Sequence, residues 1–174
     1  VTPCAAMLNG GDARVWGVEL ETEAHPIQGL EFDASGSYLN FQYTSLSSYA
    51  TAAGINSSMT TPFAPRWKYS AGVQYDIPLG RAGRITPRVD VSYQDSFYSS
   101  AQNYFQNKIF GYTLLNGRIT WQSNDSLWQV AAQFTNITDK LYYTGVFDNR
   151  SSAQTVTGTP GPPNEWALTV RRSF

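Results

Sequence analysis

Residues 166–174 read WALTVRRSF, and their side chains alternate between the two faces of an extended chain. One face carries the apolar residues Trp166, Leu168, Val170 and Phe174. A transmembrane β-strand has about ten residues, apolar side chains at alternate positions and aromatic residues at the water interface. Half-buried strands of soluble proteins also alternate, so the interpretation depends on whether the rest of the chain repeats the pattern.

The composition is that of one folded domain. The chain has 174 residues, a net charge of −1 and 41% hydrophobic residues, which argues against disorder and against a nucleic-acid partner. Because Cys4 is the only cysteine, no internal disulfide and no thiolate metal cluster can form. The longest stretch without charge, residues 34–65, is rich in Ser, Thr and Asn, so any membrane crossing would use strands.

Six further segments show the same alternation. They are residues 16–24, 30–38, 69–77, 85–94, 115–122 and 128–135. The connections between the segments alternate strictly in length. Short ones lie near residues 26–29, 78–84 and 123–126, and long ones near 44–65, 98–108 and 144–163. Outer-membrane barrels combine short periplasmic turns with long external loops, so this order predicts a barrel wall whose C-terminus lies on the periplasmic side.

Aromatic residues collect at the two ends of the predicted strands. The outer ends carry Tyr38, Trp67, Tyr69, Tyr112, Tyr142, Tyr143 and Trp166, and the inner ends carry Tyr75, Trp121, Trp128 and Phe174. Amphipathic rings favour the two interfaces of a bilayer, which predicts two aromatic girdles. A soluble β-sandwich with an aromatic core is the alternative.

The opposite face of the strands is highly charged. Its charged residues are Glu19, Glu21, Glu23, Glu31, Asp33, Asp76, Arg88, Asp90, Arg118 and Arg171. A wide lumen, filled with water or plugged, accommodates such charges better than a narrow packed barrel. Seven strands are an odd number, whereas single-chain bacterial barrels have even numbers. We therefore expect residues 1–174 to form the C-terminal part of one larger barrel domain, all-β and antiparallel.

Four segments, taken in order, resemble the C-terminal third of TonB-dependent outer-membrane receptors. They are NGGDARVWGVELETEAHP (9–26), GLEFDASGSYLNFQY (29–43), FTNITDKLYYTG (134–145) and EWALTVRRSF (165–174). The third is the most specific match. The family commonly places an aromatic residue where this chain has Arg172, a long cation that can extend toward water at an interface.

The resemblance implies an outer-membrane barrel of about 22 strands with a plugged lumen. It implies active import of a scarce nutrient such as a ferric siderophore, energised by TonB through an N-terminal plug that these residues do not include. The surroundings would be outer-membrane lipid, and no cofactor is implied. In this family, Trp166, Leu168, Val170 and Phe174 would serve as the barrel-assembly signal.

The acidic residues of the first two strands are candidates for contact with a plug. If these strands pair around residues 26–28, Glu23 faces Glu31 and Glu21 faces Asp33. Like charges directly opposite each other destabilise a strand pair, so a cation should compensate them. Plug arginines commonly pair with barrel glutamates in the resembling family. We therefore expect Glu19, Glu21 and Asp33 to contact the plug, and hydrated wall charges are the alternative.

The long loops contain aromatic residues and few charges. Candidate ligand residues are Tyr49, Tyr98, Tyr104, Phe105, Phe147 and Arg150. Aromatic loops rich in Ser and Asn suit a moderately apolar, hydrogen-bonding small molecule such as a metal chelate. Packing between loops is the competing explanation for the same residues.

No catalytic constellation is apparent in the sequence. His25 is the only histidine and follows a strand at a short turn, where we expect it to be solvated. No set of residues has the spacing of metal ligands. We expect a transport receptor rather than an enzyme. A passive porin, an outer-membrane hydrolase and a soluble β-sandwich remain as alternatives.

Overall fold

The computed structural model describes residues 9–150 and 153–174, so Cys4 lies outside the described residues. In chain order its elements are β1 (Gly11–Ile27), β2 (Leu30–Leu46), α1 (Ser48–Ala52), β3 (Trp67–Tyr75), β4 (Ile77–Pro78), β5 (Arg84–Gln94), β6 (Phe97–Tyr98), β7 (Lys108–Ile109), β8 (Tyr112–Gln122), β9 (Trp128–Thr135), β10 (Tyr143–Asn149), β11 (Thr155–Pro160) and β12 (Glu165–Arg172). Single 3₁₀ turns occupy Gly80–Ala82 and Phe105–Asn107. Among the described residues, no helix has the length and hydrophobicity needed to cross a membrane.

Seven long strands form one antiparallel sheet in the order β1-β2-β3-β5-β8-β9-β12, and the short strand β4 pairs with β5. Each strand therefore pairs with the next long strand of the chain, as a series of hairpins requires. All seven segments predicted from alternation are strands. The bounds of β9 agree with the prediction, whereas β1 and β2 each contain 17 residues and extend well beyond their predicted outer ends.

The predicted register of the first hairpin was wrong. Glu23 pairs with Asp33 rather than Glu31, and Glu21 pairs with Ser35 rather than Asp33. The turn contains only residues 28 and 29, and the register shifts once between Ala24 and Ile27. A bulge of this kind places an extra residue on one strand, so every partner further along the hairpin changes.

Pro87 lies inside the sheet, next to an interruption in the neighbouring strand. On one side it pairs with Ile119 of β8. On the other side the ladder ends at Gln74, which pairs with Arg88, and resumes at Ile77, which pairs with Ile85. The backbone N–H of Asp76, between the two, donates to Gly29 O at 2.8 Å. Since proline has no N–H to donate, the ladder is interrupted where Pro87 stands.

The apolar face of the sheet is uncovered. Leu20 is 69% exposed, Leu168 62%, and Val89 and Phe134 are 47% and 40% exposed. A β-sandwich would require a second sheet packed against this face, and the described residues supply none. The few buried apolar side chains are Ala50, Phe97, Ile109 and Ala131. The alternative of a β-sandwich is therefore not supported.

The long connections contain structure of their own. The connection between β5 and β8 holds the β6–β7 hairpin, and the one between β9 and β12 holds the β10–β11 hairpin. The connection between β2 and β3 begins with α1, whose first turn is capped by the Ser47 side chain, which accepts from Ala50 N. All three connections lie at the same end of the antiparallel sheet, opposite the short turns.

Candidate functional site

The charged face of the sheet contains an ion-pair network centred on Arg88. The Arg88 guanidinium donates to both carboxylate oxygens of Asp33, at 2.9 and 2.8 Å, and to Asp90 at 2.8 Å. These three residues lie on β5 and β2, with β3 between them. Arg88 therefore clamps three neighbouring strands together across the face that the sequence predicts to be the lumen.

Gly72 of β3 makes room for this clamp. A Cβ at position 72 would collide with the Arg88 guanidinium, and it would lie 2.5 Å from Asp33 Oδ2 and 2.8 Å from Asp90 Oδ1. Any side chain at this position would therefore separate the charges. The glycine is explained by the close approach of the guanidinium to the β3 backbone.

The three predicted plug-contact residues have different surroundings. Asp33 is already paired with Arg88, so its charge is neutralised within the wall. Within residues 9–150 and 153–174, the side chains of Glu19 and Glu21 have no hydrogen-bond or ion-pair partner, and both are exposed. Their partners on β2 are Ser37 and Ser35, which carry no charge. Of the three predicted plug-contact residues, only the two on β1 therefore keep an unneutralised charge.

A second charged cluster surrounds His25 near the β1–β2 turn. His25 Nε2 lies 2.8 Å from Glu23 Oε1, and Nδ1 lies 4.0 Å from Glu31 Oε2. His25 is 60% exposed, as expected of a turn residue, but it is not simply solvated. One ligand atom from each of the three side chains lies within 4.8 Å of the others, so they could hold a cation. This group was not predicted from the sequence, although Glu23 and His25 occupy alternate positions of one strand.

A continuous row of rings crosses the apolar face at the end of the sheet that carries the long loops. Centroid distances are 5.2 Å for Trp16–Tyr38, 4.4 Å for Tyr38–Trp67, 5.7 Å for Trp67–Tyr69 and 5.8 Å for Tyr69–Tyr93. Contacts between aromatic rings add stabilising free energy beyond that of burying their apolar surface. The row has the position and composition of an aromatic girdle.

Tyr112 differs from the other predicted girdle residues. It pairs with Gln94 and so belongs to the charged face, and its ring packs 4.5 Å from that of Tyr142. The prediction placed it at the correct end of its strand. The side-chain direction could be read only from the register of β8 with β5.

Three of the predicted ligand residues line one cavity between the connections that hold β6–β7 and β10–β11. Tyr104, Phe147 and Arg150 surround about 460 Å³ together with Asn107. Tyr98 lines a separate, more polar cavity of about 650 Å³ beside Arg66 and Asn103. The remaining two residues, Tyr49 and Phe105, do not join either cavity and are 66% and 72% exposed.

Arg150 is not free to attract an anion, because Asp148 neutralises it. Arg150 Nε and Nη2 donate to the two carboxylate oxygens of Asp148 at 2.8 and 2.6 Å, and the Arg150 backbone N–H donates at 3.1 Å. These hydrogen bonds lower the pKa of the Asp148 carboxyl below its usual value. The pair therefore shapes the wall of the cavity as a neutral, planar unit.

Asn136 organises the FTNITDK segment and was not identified from sequence. It is 3% exposed and has a φ of 48°. Its Nδ2 donates to Lys140 O at 3.0 Å and Pro162 O at 3.1 Å, and its Oδ1 accepts from Lys140 N at 2.8 Å. Its backbone N–H donates to Asn116 Oδ1 at 2.9 Å. The Asn136 side chain thus ties the end of β9 to the segment that precedes β12, and its backbone N–H links the same point to β8.

The predicted assembly residues lie along the apolar face of β12. Trp166, Leu168 and Val170 pair with Phe134, Ala132 and Val130 of β9. Trp166 is 74% exposed and Phe174 is fully exposed, so both rings are available to a surrounding phase. Between them, Arg172 pairs with Trp128.

Comparison with known proteins agrees with this architecture. The sequence model of the family described as TonB dependent receptor-like, beta-barrel, matches residues 2–137. The pesticin receptor of Yersinia enterocolitica is 26% identical over 145 residues, which are 83% of this chain and 20% of that protein. The pesticin receptor of Yersinia pestis matches to the same extent. The chain thus spans about a fifth of the length of the curated relatives it matches.

Solved structures show the same fold. The ferric yersiniabactin uptake receptor FyuA from Yersinia pestis superposes with a TM-score of 0.79 and 22% identity, over 95% of this chain and 24% of that one. The ferripyoverdine receptor of Pseudomonas aeruginosa superposes with a TM-score of 0.67 and 17% identity, over 93% of this chain and 19% of that one. The seven-stranded sheet therefore corresponds to part of the wall of such barrels. On the family match and this fold, the chain belongs to the TonB-dependent receptor-like β-barrel family.

Proposed function

We propose that this chain is wall and external loops of an outer-membrane receptor that imports a ferric siderophore or a similar scarce chelate, driven by TonB. The observation that carries the proposal is the two-faced sheet, with an exposed apolar face and a charged face, in a chain of this family. FyuA takes up ferric yersiniabactin and the Pseudomonas receptor binds ferripyoverdine, and both share the fold. The chain would act by recognition and passage rather than by covalent chemistry.

Growth on single iron sources tests the proposal. A strain that lacks the full gene should lose growth on one ferric chelate, and the intact gene should restore it only when TonB is present. A passive porin, the runner-up, would restore growth without TonB. A hydrolase would instead release fatty acid from lipid, and its strain would show no iron-source defect.

The cavity beside Tyr104 and Phe147 supports a moderately apolar ligand. Two exposed rings line it, and the charge of Arg150 is cancelled by Asp148, so the cavity presents aromatic faces and neutral hydrogen-bonding groups. Phe147→Ala should weaken binding of the chelate that supports growth. Phe105→Ala, which changes a ring outside this cavity, is the matched control, and equal losses in both variants would contradict the assignment.

Glu19 and Glu21 are the proposed docking points for plug arginines. Both lie on the charged face and lack a partner among the described residues, whereas Asp33 is engaged by Arg88. Glu21→Arg in the full receptor should weaken plug retention, read as faster protease cleavage of the plug. Glu165→Arg reverses an exposed acidic charge on the far strand β12 and should leave the plug protected. Unchanged protection in the Glu21 variant would refute the docking proposal.

We further propose that the short turns face the periplasm, and with them the C-terminal end. The three long connections lie at the opposite end of the sheet, as the external loops of a barrel do. In a Cys4→Ser background, Phe147→Cys should react with a membrane-impermeant maleimide on whole cells. Asp125→Cys, in the β8–β9 turn, should react only after the outer membrane is opened, and labelling of Asp125→Cys on intact cells would invert the orientation.

A further inference from the structure

Arg172 is a cation on the apolar face of the sheet. It occupies the same face as Leu168 and Val170, at the end of β12 nearest the short turns. Its guanidinium carbon lies 5.0 Å from the centroid of the Trp128 ring and 4.8 Å from that of Phe174. The two rings hold the guanidinium through cation–π contact at the level where the girdle residues lie.

The N–H donors of this guanidinium are not used within residues 9–150 and 153–174. Arg84, Arg88 and Arg150 each donate to a side-chain oxygen, whereas Arg172 has only its two ring contacts. A guanidinium at the edge of hydrocarbon is costly unless its donors find an acceptor. The planar fork of arginine fits the oxygens of a phosphate two at a time.

We propose that Arg172, stacked against Trp128 and Phe174, binds the headgroup phosphate of a phospholipid in the leaflet that surrounds the short-turn end of the sheet. An anionic headgroup is preferred, because a zwitterionic lipid already offers its phosphate an ammonium partner. The inference rests on the proposed membrane location and adds a lipid site to it. The adjacent Arg171 pairs with Gln129 on the charged face and takes no part.

Native mass spectrometry of the full receptor in detergent, titrated with phosphatidylglycerol, tests the site. Arg172→Phe supplies the aromatic residue that the family commonly has here and removes the charge, so it should bind the first lipid roughly fivefold more weakly than the wild type. Arg171→Gln removes a charge from the next residue, on the opposite face, and should match the wild type. Correct folding is checked by the heat-dependent shift of the barrel on gels.

Three outcomes overturn the proposal. They are wild-type affinity in Arg172→Phe, a loss of affinity in Arg171→Gln equal to that in Arg172→Phe, and displacement of the lipid by soluble glycerol phosphate at the same concentration. If Arg172→Phe does not fold, Arg172→Gln decides instead, because it removes the charge but keeps a polar side chain, and wild-type affinity in that variant refutes phosphate binding by Arg172. Chelate-dependent growth is measured separately, so failure of the lipid site and failure of the receptor proposal are distinguishable.

Discussion

Loss of the Asn136 side chain should lower the stability of the barrel. Asn136→Ala would leave the carbonyls of Lys140 and Pro162 without the donor that the buried Asn136 side chain supplies. An unsatisfied buried polar group costs about 1–3 kcal/mol, so we expect a lower thermal midpoint of barrel unfolding. Asn136→Asp should be worse, because it directs a carboxylate oxygen at the same two carbonyls. The midpoint is read from the heat-dependent gel shift.

An exposed asparagine provides the comparison for this prediction. Asn56 also hydrogen-bonds within a loop, where its Oδ1 accepts from Ser58 N at 3.0 Å, but it is exposed to water. Asn56→Ala should shift the midpoint little, since water replaces the lost contact. An Asn136→Ala variant as stable as Asn56→Ala would show that the network is not a stability determinant.

Gly72 tests the ion-pair clamp. Gly72→Ala should displace the Arg88 guanidinium from Asp33 and Asp90, because the new methyl group occupies its position. We expect a loss of about 1 kcal/mol in barrel stability, because the three charged side chains are flexible and partly exposed to water, which limits the value of their ion pairs. Gly36→Ala, where the nearest atom is a Tyr69 ring carbon at 3.4 Å, is the control. Equal midpoints for the two variants would contradict the role assigned to Gly72.

At the level of single elements, the β10–β11 hairpin is held near its tip by Asp148 and Arg150. Hydrogen bonds from Arg150 lower the folded-state pKa of Asp148 below the ordinary 3.8. A carboxyl with a depressed pKa stabilises the fold fully above its unfolded pKa, and this contribution is lost as the pH falls through the folded pKa. The hairpin should therefore be insensitive to pH near neutrality and should loosen only in strong acid.

Hydrogen exchange of the Arg150 amide, which donates to Asp148 Oδ1, measures this effect. Protection relative to intrinsic exchange should be constant above pH 3.8 and fall below it. Asp148→Asn removes the titrating group, so protection should be weaker and independent of pH. It also frees the Arg150 charge, so an anionic chelate should bind this variant more tightly than the wild type. A pH-dependent Asp148→Asn variant would contradict the assignment.

Alternation along the chain was enough to predict the seven long strands, because each strand carries mainly apolar side chains on one face and polar side chains on the other. It did not predict the register of β1 with β2, since a bulge between Ala24 and Ile27 leaves the alternation on either side intact. The hairpins β6–β7 and β10–β11 within the long connections were also missed. The strands β6 and β7 bury Phe97 and Ile109 but have only two residues each, too few to show a period, and β10 and β11 contain no buried residue.

The aromatic and acidic residues of the candidate site were predicted from the sequence, but their contacts with one another were not. Composition indicated which rings belong to the loops, but only the fold brings Tyr104 next to Phe147, because their loops are separated by two strands of the sheet. The acidic residues of β1 were visible in the sequence. The sequence did not show that Arg88 neutralises Asp33, because these two residues are 55 positions apart in the chain. It therefore did not show that, among the described residues, Glu19 and Glu21 differ from Asp33 in having no partner.

For the whole molecule, the decisive property is that the two faces of one sheet meet different surroundings. Val18, Leu20 and Leu168 are each at least 60% exposed on one face, which would be unfavourable in water for a sheet of this size. The other face carries the Arg88 clamp and the acidic residues of β1. Both faces would be stable if hydrocarbon lay against the apolar face and an aqueous or plugged lumen lay against the charged face.

Adjacent residues of β12 test this division within a single strand. Leu168→Arg places a charge midway between the ends that carry Trp166 and Phe174, where an arginine facing lipid costs about 2–4 kcal/mol. Ala167→Arg places the same charge on the opposite face, which already carries Arg171, and should cost little. Refolding of the full receptor into lipid vesicles across a urea series gives both free energies. If the Ala167 variant were the less stable, the lumen and lipid faces would be the reverse of those assigned here, and equal stabilities would remove the physical basis for a membrane-spanning wall.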